Sequence, residues 1–225
     1  MPIALITGAS KGLGRALARA LGERGWTLVL DARGAAALEA VAHELPDAVA
    51  IPGDVTNPRH RKALVTAVRE RGRLSLLVNN ASYLGPSPMP SLAEYPLDEL
   101  AWVYEVDVIA PLALIQQALP VLAEHAAVLN ISSDAAVEPY AGWGGYGSAK
   151  AALDHVSAIL AAEHPGLSVY AVDPGDMRTD MHQAAFPGED ISDRPEPETA
   201  VPGLLRLLDD RPPSGRYRAQ ALEPA

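Results

Sequence analysis

The chain has 225 residues, enough for one sizeable domain with a buried core, and no linker-like stretch divides it. With 48% of residues apolar and 20% charged, the composition argues for a globular fold and against disorder. A formal net charge of −10 leaves no basic stripe for nucleic acid or anionic lipid, and the lack of cysteine excludes disulfides, thiolate catalysis and a cysteine-built metal site.

Short apolar runs of β type alternate with longer stretches of helical period. Ile3–Ile6 is followed by a predicted helix over residues 13–24, and the run 27–30 by another over 35–44. The run 48–51 leads into a helical stretch at 59–71, and 74–78 is uninterrupted enough for a strand buried on both faces. The rhythm continues with a strand at 126–131, a helix at 146–163, a strand at 167–172 and a last strand around 216–221. It predicts βαβ units in a single α/β domain, 1–225, with a doubly wound, mainly parallel sheet flanked by helices. Two stretches interrupt it. Residues 82–96 are proline-rich and read as a loop; 176–198, with three prolines and many acidic residues, reads as a surface excursion or a mobile lid.

No apolar run reaches membrane-spanning length, and the first residues lack a charged region followed by an apolar stretch. The default expectation is a soluble, cytoplasmic protein without a membrane or nucleic-acid partner. The six histidines are scattered without metal-ligand spacing, so no metal site is expected.

The first strand runs directly into Thr7-Gly8-Ala9-Ser10-Lys11-Gly12-Leu13-Gly14, and a helix follows. Glycines allow a sharp turn and close approach to a pyrophosphate, while the helix N-terminus offers free N–H groups and a positive dipole. A glycine triplet alone is weak and could be a structural turn; its place between a first strand and a first helix strengthens the cofactor reading.

Tyr146-Gly147-Ser148-Ala149-Lys150 opens a predicted helix, and the i,i+4 spacing puts Tyr146 and Lys150 on one face. An ammonium nearby favours phenolate and should lower the tyrosine pKa into a useful range. A Tyr-x-x-x-Lys also arises by chance, but there are only three lysines, Lys11, Lys62 and Lys150, and two of them fall in these motifs. Upstream, Ser133 ends a predicted strand, at the sheet edge where ligands bind in open α/β folds; it could donate to a substrate oxygen or be a plain turn residue.

Taken together, these residues resemble the short-chain dehydrogenase/reductase family over almost the whole chain. Thr7 to Gly14 matches its TGxxxGxG loop, Asp54-Val55 its adenine-side pair, and Asn79-Asn80-Ala81-Ser82 its NNAG element with serine for glycine. Ser133, Tyr146 and Lys150 match the catalytic serine and YxxxK, and Asp173-Pro174-Gly175 with Thr179 matches PGxxxT. The resemblance implies a Rossmann-type fold and reversible hydride transfer between a nicotinamide and a small carbonyl or alcohol substrate. Tyr146 would be the acid/base, Ser133 would hold the substrate oxygen, and Lys150 would lower the Tyr146 pKa and bind the nicotinamide ribose. The implied cofactor contacts are Gly8, Ser10, Lys11, Gly12, Leu13, Gly14, Arg33, Asp54, Val55, Asn80, Ala81, Tyr146, Lys150, Pro174, Gly175, Met177 and Thr179. A homodimer or homotetramer is implied through helices at about 97–122 and 146–163.

The family's catalytic asparagine is replaced by Asp107. Pro111, four residues on, has no N–H to give to the Asp107 carbonyl, so that carbonyl can still serve the family's water relay. The Asp107 side chain either pairs with Lys150 or caps a local kink and faces away. After the second strand, Ala32 occupies the family's acid-bearing position and Arg33 follows, which with Lys11 predicts NADP(H) over NAD(H). NAD(H) stays possible, because a one-residue slip would make Asp31 the ribose-binding acid. Tyr83, Leu84, Val137, Tyr140, Trp143, Met177, His182 and Phe186 are candidates for a largely apolar substrate pocket. Two other classes remain: a cofactor-binding sensor or scaffold with little turnover, and a hydrolase, for which Ser133 lacks a GxSxG elbow.

Overall fold

The apolar runs of the sequence become the strands of one sheet in the computed structural model, which describes residues 1–222. Strands β1 (Ile3–Ile6), β2 (Thr27–Ala32), β3 (Ala48–Pro52), β4 (Leu74–Asn79), β5 (Leu122–Ile131), β6 (Ser168–Asp173) and β7 (Gly215–Arg218) are all parallel. Their order is β3-β2-β1-β4-β5-β6-β7, so the winding reverses between β1 and β4. A crevice at the carboxyl ends of those two strands is therefore the expected ligand site.

The helices are α1 (Gly12–Glu23), α2 (Ala35–His43), α3 (Pro58–Arg71), α4 (Leu97–Tyr104), α5 (Ala110–Ala118), α6 (Gly144–Glu163), α7 (Asp180–Ala185) and α8 (Val201–Asp210). Successive strand residues point to opposite faces, and both faces are covered. Ile6, Leu28, Leu30, Leu76 and Val78 pack with Leu17 and Leu21 of α1, Leu38 of α2 and Leu204 of α8. Leu5, Val29, Leu74, Leu77 and Val128 pack with Leu64 of α3, Leu114 of α5 and Leu160 of α6. Full burial of each large aliphatic side chain is worth about 1.5–3 kcal/mol, which fixes the strands in register and so fixes their carboxyl ends.

Four features depart from the sequence expectation. Strand β5 begins at Leu122 rather than 126, because its register to β4 shifts between Leu74 and Leu76 and accommodates Glu124 and His125, the latter at φ 57°. The last strand ends at Arg218, and residues 219–222 form a 3₁₀ turn that seats Ala219 against Gly203 of α8. Helix α8 was not read from the sequence; Pro202 sits in its first turn, where proline is tolerated. The segment 176–198 is no structureless loop: it contains α7, whose Met181 and Ala185, with Phe186, pack on Trp143 and Tyr146. Among the described residues, no helix is long and apolar enough to cross a membrane.

Candidate active site

A cleft of about 1040 Å³ runs along the carboxyl ends of the strands, from Arg33 and Ala37 past the glycine loop to Trp143 and His182. At its centre the loop after β1 turns through Gly8 at φ 66°. A Cβ on Gly14 would overlap the Gly8 carbonyl oxygen, so the turn can close only without a side chain there. The loop is tied to β4: the Asn80 side chain donates to the carbonyls of Thr7 (2.9 Å) and Gly8 (3.1 Å), and the Thr7 hydroxyl accepts from the N–H groups of Asn80 and Ala81, each at 3.0 Å. No side chain caps α1, so its first N–H groups face the cleft as an anion cradle.

At the adenosine end, Asp31 is turned inward, 1% exposed, with its carboxylate 2.6 Å from His60 Nε2. Burial pushes its pKa up, and His60 opposes this only partly. Arg33 is exposed at the rim, and Arg15 lines the same end with its Nε buried and unpartnered among the described residues. Lys11 differs from expectation: it pairs with Asp180 of α7 at 2.5 Å, both side chains exposed. Burial pushes the Asp54 carboxyl up, but the Thr56 N–H and hydroxyl and the charge of Arg33 outweigh it and hold it below the ordinary value.

Helix α6 is fixed to the sheet by a buried chain: Asn79 donates to Asn130 (2.7 Å), Asn130 to Ser157 (2.8 Å) and Ser157 to the Leu153 carbonyl (2.7 Å). That orientation puts Tyr146 and Lys150 on the cleft wall, both buried, with Lys150 Nζ 5.3 Å from the Tyr146 ring centroid. Lys150 also donates to the Ile131 carbonyl at 3.0 Å. Ser133 lines the cleft beside them; its hydroxyl donates to Asp134 (3.0 Å) and accepts from the Ala135 N–H (3.2 Å).

Asp107 lies in a π-helical stretch, Glu105–Ile109, where the Ala110 N–H reaches back five residues to the Glu105 carbonyl just before Pro111. The wider turn directs Asp107 inward, 0% exposed, with Oδ1 3.1 Å from Lys150 Nζ. It does not face away as a kink cap. Oδ1 also accepts a short hydrogen bond from the Ser82 hydroxyl, and Oδ2 a longer one from the Tyr83 N–H at 3.3 Å. Burial works against the Lys150 ammonium, but Asp107 and Tyr146 outweigh it and raise its pKa. The expected lowering of the Tyr146 pKa is not what the protein shows. Burial raises it above the ordinary phenol value, Lys150 pulls down, and Asp107 pushes up again.

Of the other cofactor candidates, Ser10, Gly12, Leu13, Val55, Ala81, Pro174, Gly175, Met177 and Thr179 all line the cleft. The open helix end, the glycine cradle and the orphaned Arg15 Nε suit the phosphates of a dinucleotide. Tyr83, Leu84, Trp143, Met177 and His182 line the substrate end. Phe186 packs behind Trp143 and His182, while Val137 and Tyr140 are exposed and fall outside the cleft lining. Sequence reading missed Arg15, although a second cation directly after the glycine loop was its signal, and missed Ser82 as a partner of Asp107.

The family described as short chain dehydrogenase matches residues 2–190. Mouse sepiapterin reductase is 34% identical over 201 residues, 81% of this chain and 77% of that protein. A short chain dehydrogenase from Pseudomonas syringae superposes with a TM-score of 0.91 at 32% identity, covering 97% of this chain and 94% of that one. Another from Shigella flexneri, complexed with NADP, gives 0.89 at 28% identity, covering 97% of each chain.

Proposed function

The chain belongs to the short-chain dehydrogenase/reductase family and is an NAD(P)-dependent oxidoreductase of that type; from this premise we propose an NADP(H)-preferring enzyme with Tyr146 as acid/base. One observation carries the reading: a buried Tyr146–Lys150 pair on the wall of the cleft that begins at the glycine loop.

Bound nicotinamide supplies the hydride, and the protein supplies position and protons. Gly8, Ser10, Gly12, Leu13 and the open end of α1 hold the pyrophosphate, while Gly14, outside the cleft lining, packs behind them on the Gly8 carbonyl; Asn80, Ala81, Asp54 and Val55 lie along the adenosine side. Pro174, Gly175, Met177 and Thr179 border the nicotinamide, and Lys150 serves its ribose. Arg33 and Arg15 receive the 2′-phosphate; Asp31 is engaged by His60, so it offers little to a ribose hydroxyl. The NADP-complexed structure from Shigella flexneri supports the same preference.

In reduction, the Tyr146 O–H donates its proton to the substrate oxygen as that oxygen gains charge. A high Tyr146 pKa keeps the phenol protonated at neutral pH, which favours this direction. Ser133 steadies the substrate oxygen by turning its hydroxyl from Asp134 to the substrate. Asp107 pairs with Lys150 and keeps the ammonium in place. The substrate is a small carbonyl compound that fits between Tyr83, Leu84, Trp143 and Met177.

The segment 176–198 acts as a lid, the enzyme works in the cytoplasm, and copies pair through α4, α5 and α6. Exposed Leu97, Trp102, Ile109 and Ile159 on that side support pairing into a homodimer or homotetramer, which light scattering checks. The function is tested by nucleotide oxidation against aldehydes, ketones and diketones. Turnover at least about ten-fold more efficient with NADPH than NADH is expected, given the worth of a charged hydrogen bond. Comparable efficiency with NADH would refute the preference, and tight NADPH binding without turnover on any carbonyl would refute the enzyme reading in favour of a cofactor sensor.

A further inference from the structure

Arg216 belongs to the edge strand β7, where alternation turns its side chain to the α6 side of the sheet, away from Tyr217, which packs on Tyr170. Its side chain is only 25% exposed, and a guanidinium that far from water needs partners. Nε donates to Asp154 Oδ2 of α6 at 2.9 Å, and Nη2 donates to the main-chain carbonyl of Ser133 at 2.8 Å. Asp154 follows Lys150 by one helical turn and Tyr146 by two, so it shares their side of α6. One guanidinium therefore joins the helix that carries the proton-transfer pair to the backbone of the serine that holds the substrate oxygen. The Ser133 carbonyl also accepts from the Ala136 N–H at 3.1 Å, which closes the 3₁₀ turn Asp134–Ala136. That turn meets α6 backbone to backbone: a Cβ on Gly147, next to Tyr146, would come 2.6 Å from the Ala135 carbonyl oxygen.

We propose that Arg216 is a positioning residue that sets where the Ser133 hydroxyl stands relative to Tyr146, by tying the Ser133 main chain to α6. This rests on the reading of Ser133 and Tyr146 as the groups that meet the substrate oxygen. The guanidinium is a planar fork with a fixed separation between Nε and Nη2, so the carboxylate and the carbonyl that it spans cannot drift independently. Without it the Ser133 carbonyl keeps only the Ala136 N–H, a bond inside the turn that moves with the turn. Rotation of the Ser133 backbone then swings its hydroxyl, and a misplacement of about 1 Å costs on the order of 10²-fold in rate. The nicotinamide side of the cleft does not depend on Arg216, whose Nη2 lies 3.8 Å from Asp173. Asp173 keeps the Gly175 N–H at 2.9 Å and Arg218 at 3.6 Å, and the Pro174 carbonyl keeps the Gln220 amide at 2.7 Å. Arg216 thus acts on the chemical step and not on cofactor binding.

The test is Arg216→Met, which keeps an apolar stem and removes the fork, assayed with NADPH and the fastest-reduced member of the aldehyde, ketone and diketone panel. The kcat should fall about 10–100-fold, with the Kd for NADPH, from fluorescence titration, nearly unchanged. The discriminating measurement is the same change made in Ser133→Ala. Once the hydroxyl is gone its position no longer matters, so Arg216→Met should cost almost nothing more there, as expected of two residues acting through one contact. General damage to the fold would cost as much in both backgrounds. Arg216→Lys keeps a positive charge for Asp154 and guards against misfolding, but one ammonium cannot reproduce the fork. Its kcat should lie between those of the methionine variant and the wild type, again with no further loss in Ser133→Ala, and it carries the test alone if Arg216→Met does not fold. Wild-type kcat in Arg216→Met, NADPH affinity falling together with kcat, or an equal loss in the Ser133→Ala background would overturn the proposal. If Ser133→Ala is slow while Arg216→Met is not, only the role of Arg216 fails. If Ser133→Ala turns over like wild type, the reading of Ser133 fails and this proposal with it.

Discussion

Replacing Asp107 by asparagine removes one charge from a fully buried pair while keeping an oxygen that can accept from Ser82 and Lys150. At 3.1 Å and an effective dielectric of about 20, the gross attraction to Lys150 is roughly 5 kcal/mol. Leaving one member of a buried pair uncompensated costs about 3–5 kcal/mol net, and the retained amide oxygen places this case near about 3 kcal/mol. For a chain of this size that lowers Tm by about 6–12 °C, readable by calorimetry. The effect on catalysis has a definite sign. Asp107 pushes the Tyr146 pKa up against the pull of Lys150, so its removal leaves Lys150 less opposed and the midpoint falls. Reduction requires the phenol, so its alkaline limb should move to lower pH, by about one unit for a neighbouring charge, while turnover at neutral pH stays comparable. The assay is the pH–rate profile for carbonyl reduction with NADPH in both proteins. An alkaline limb that stays put or moves up would refute the electrostatic account. So would a wild-type enzyme inactive on every carbonyl that this one substitution rescues.

Arg33→Ala should weaken NADPH binding about ten-fold or more with little change for NADH, measured by fluorescence titration; equal losses for both would remove Arg33 from the 2′-phosphate site. Gly14→Ala should abolish nucleotide binding, because its Cβ has no room beside the Gly8 carbonyl; retained affinity in the same titration would contradict the cradle. Residues 176–198 should gain hydrogen-exchange protection when NADPH and a carbonyl substrate bind together, beyond what the packing of Met181, Ala185 and Phe186 and the exposed Lys11–Asp180 pair already give; equal protection in free and liganded protein would end the lid proposal.

The centre of the sheet was legible because its strands are short apolar runs buried on both faces, as in Leu74–Asn79, whereas the edge strand β7, Gly215–Arg218, is polar and only half-buried. The Tyr146–Lys150 pair was legible because helical spacing alone brings the two side chains together. What stayed hidden depends on tertiary geometry. Helix α8 went unread although Val201, Leu204, Leu207 and Leu208 recur at helical spacing and are buried, and Pro202 occupies a helix position that needs no N–H donor. Helix α7 sits in an acidic, proline-rich stretch and is held by packing of Met181, Ala185 and Phe186 on residues far away in sequence. The contact of Ser82 with Asp107 requires the π-helical turn to rotate Asp107 inward, and Pro111 signalled a distortion there without fixing its direction. The downward pull of Lys150 on Tyr146 was legible because adjacent charge is visible in a sequence, whereas the larger upward effect of losing water around the phenol is not.

The central claim is that Tyr146 moves the proton, and Tyr146→Phe tests it most directly. Phenylalanine keeps the ring that packs at 6.0 Å on Trp143 and removes only the hydroxyl. Carbonyl reduction by NADPH should fall about 10²–10⁴-fold in kcat, the usual contribution of a positioned acid, with the Kd for NADPH nearly unchanged. Turnover equal to wild type at the same NADPH affinity would contradict the account.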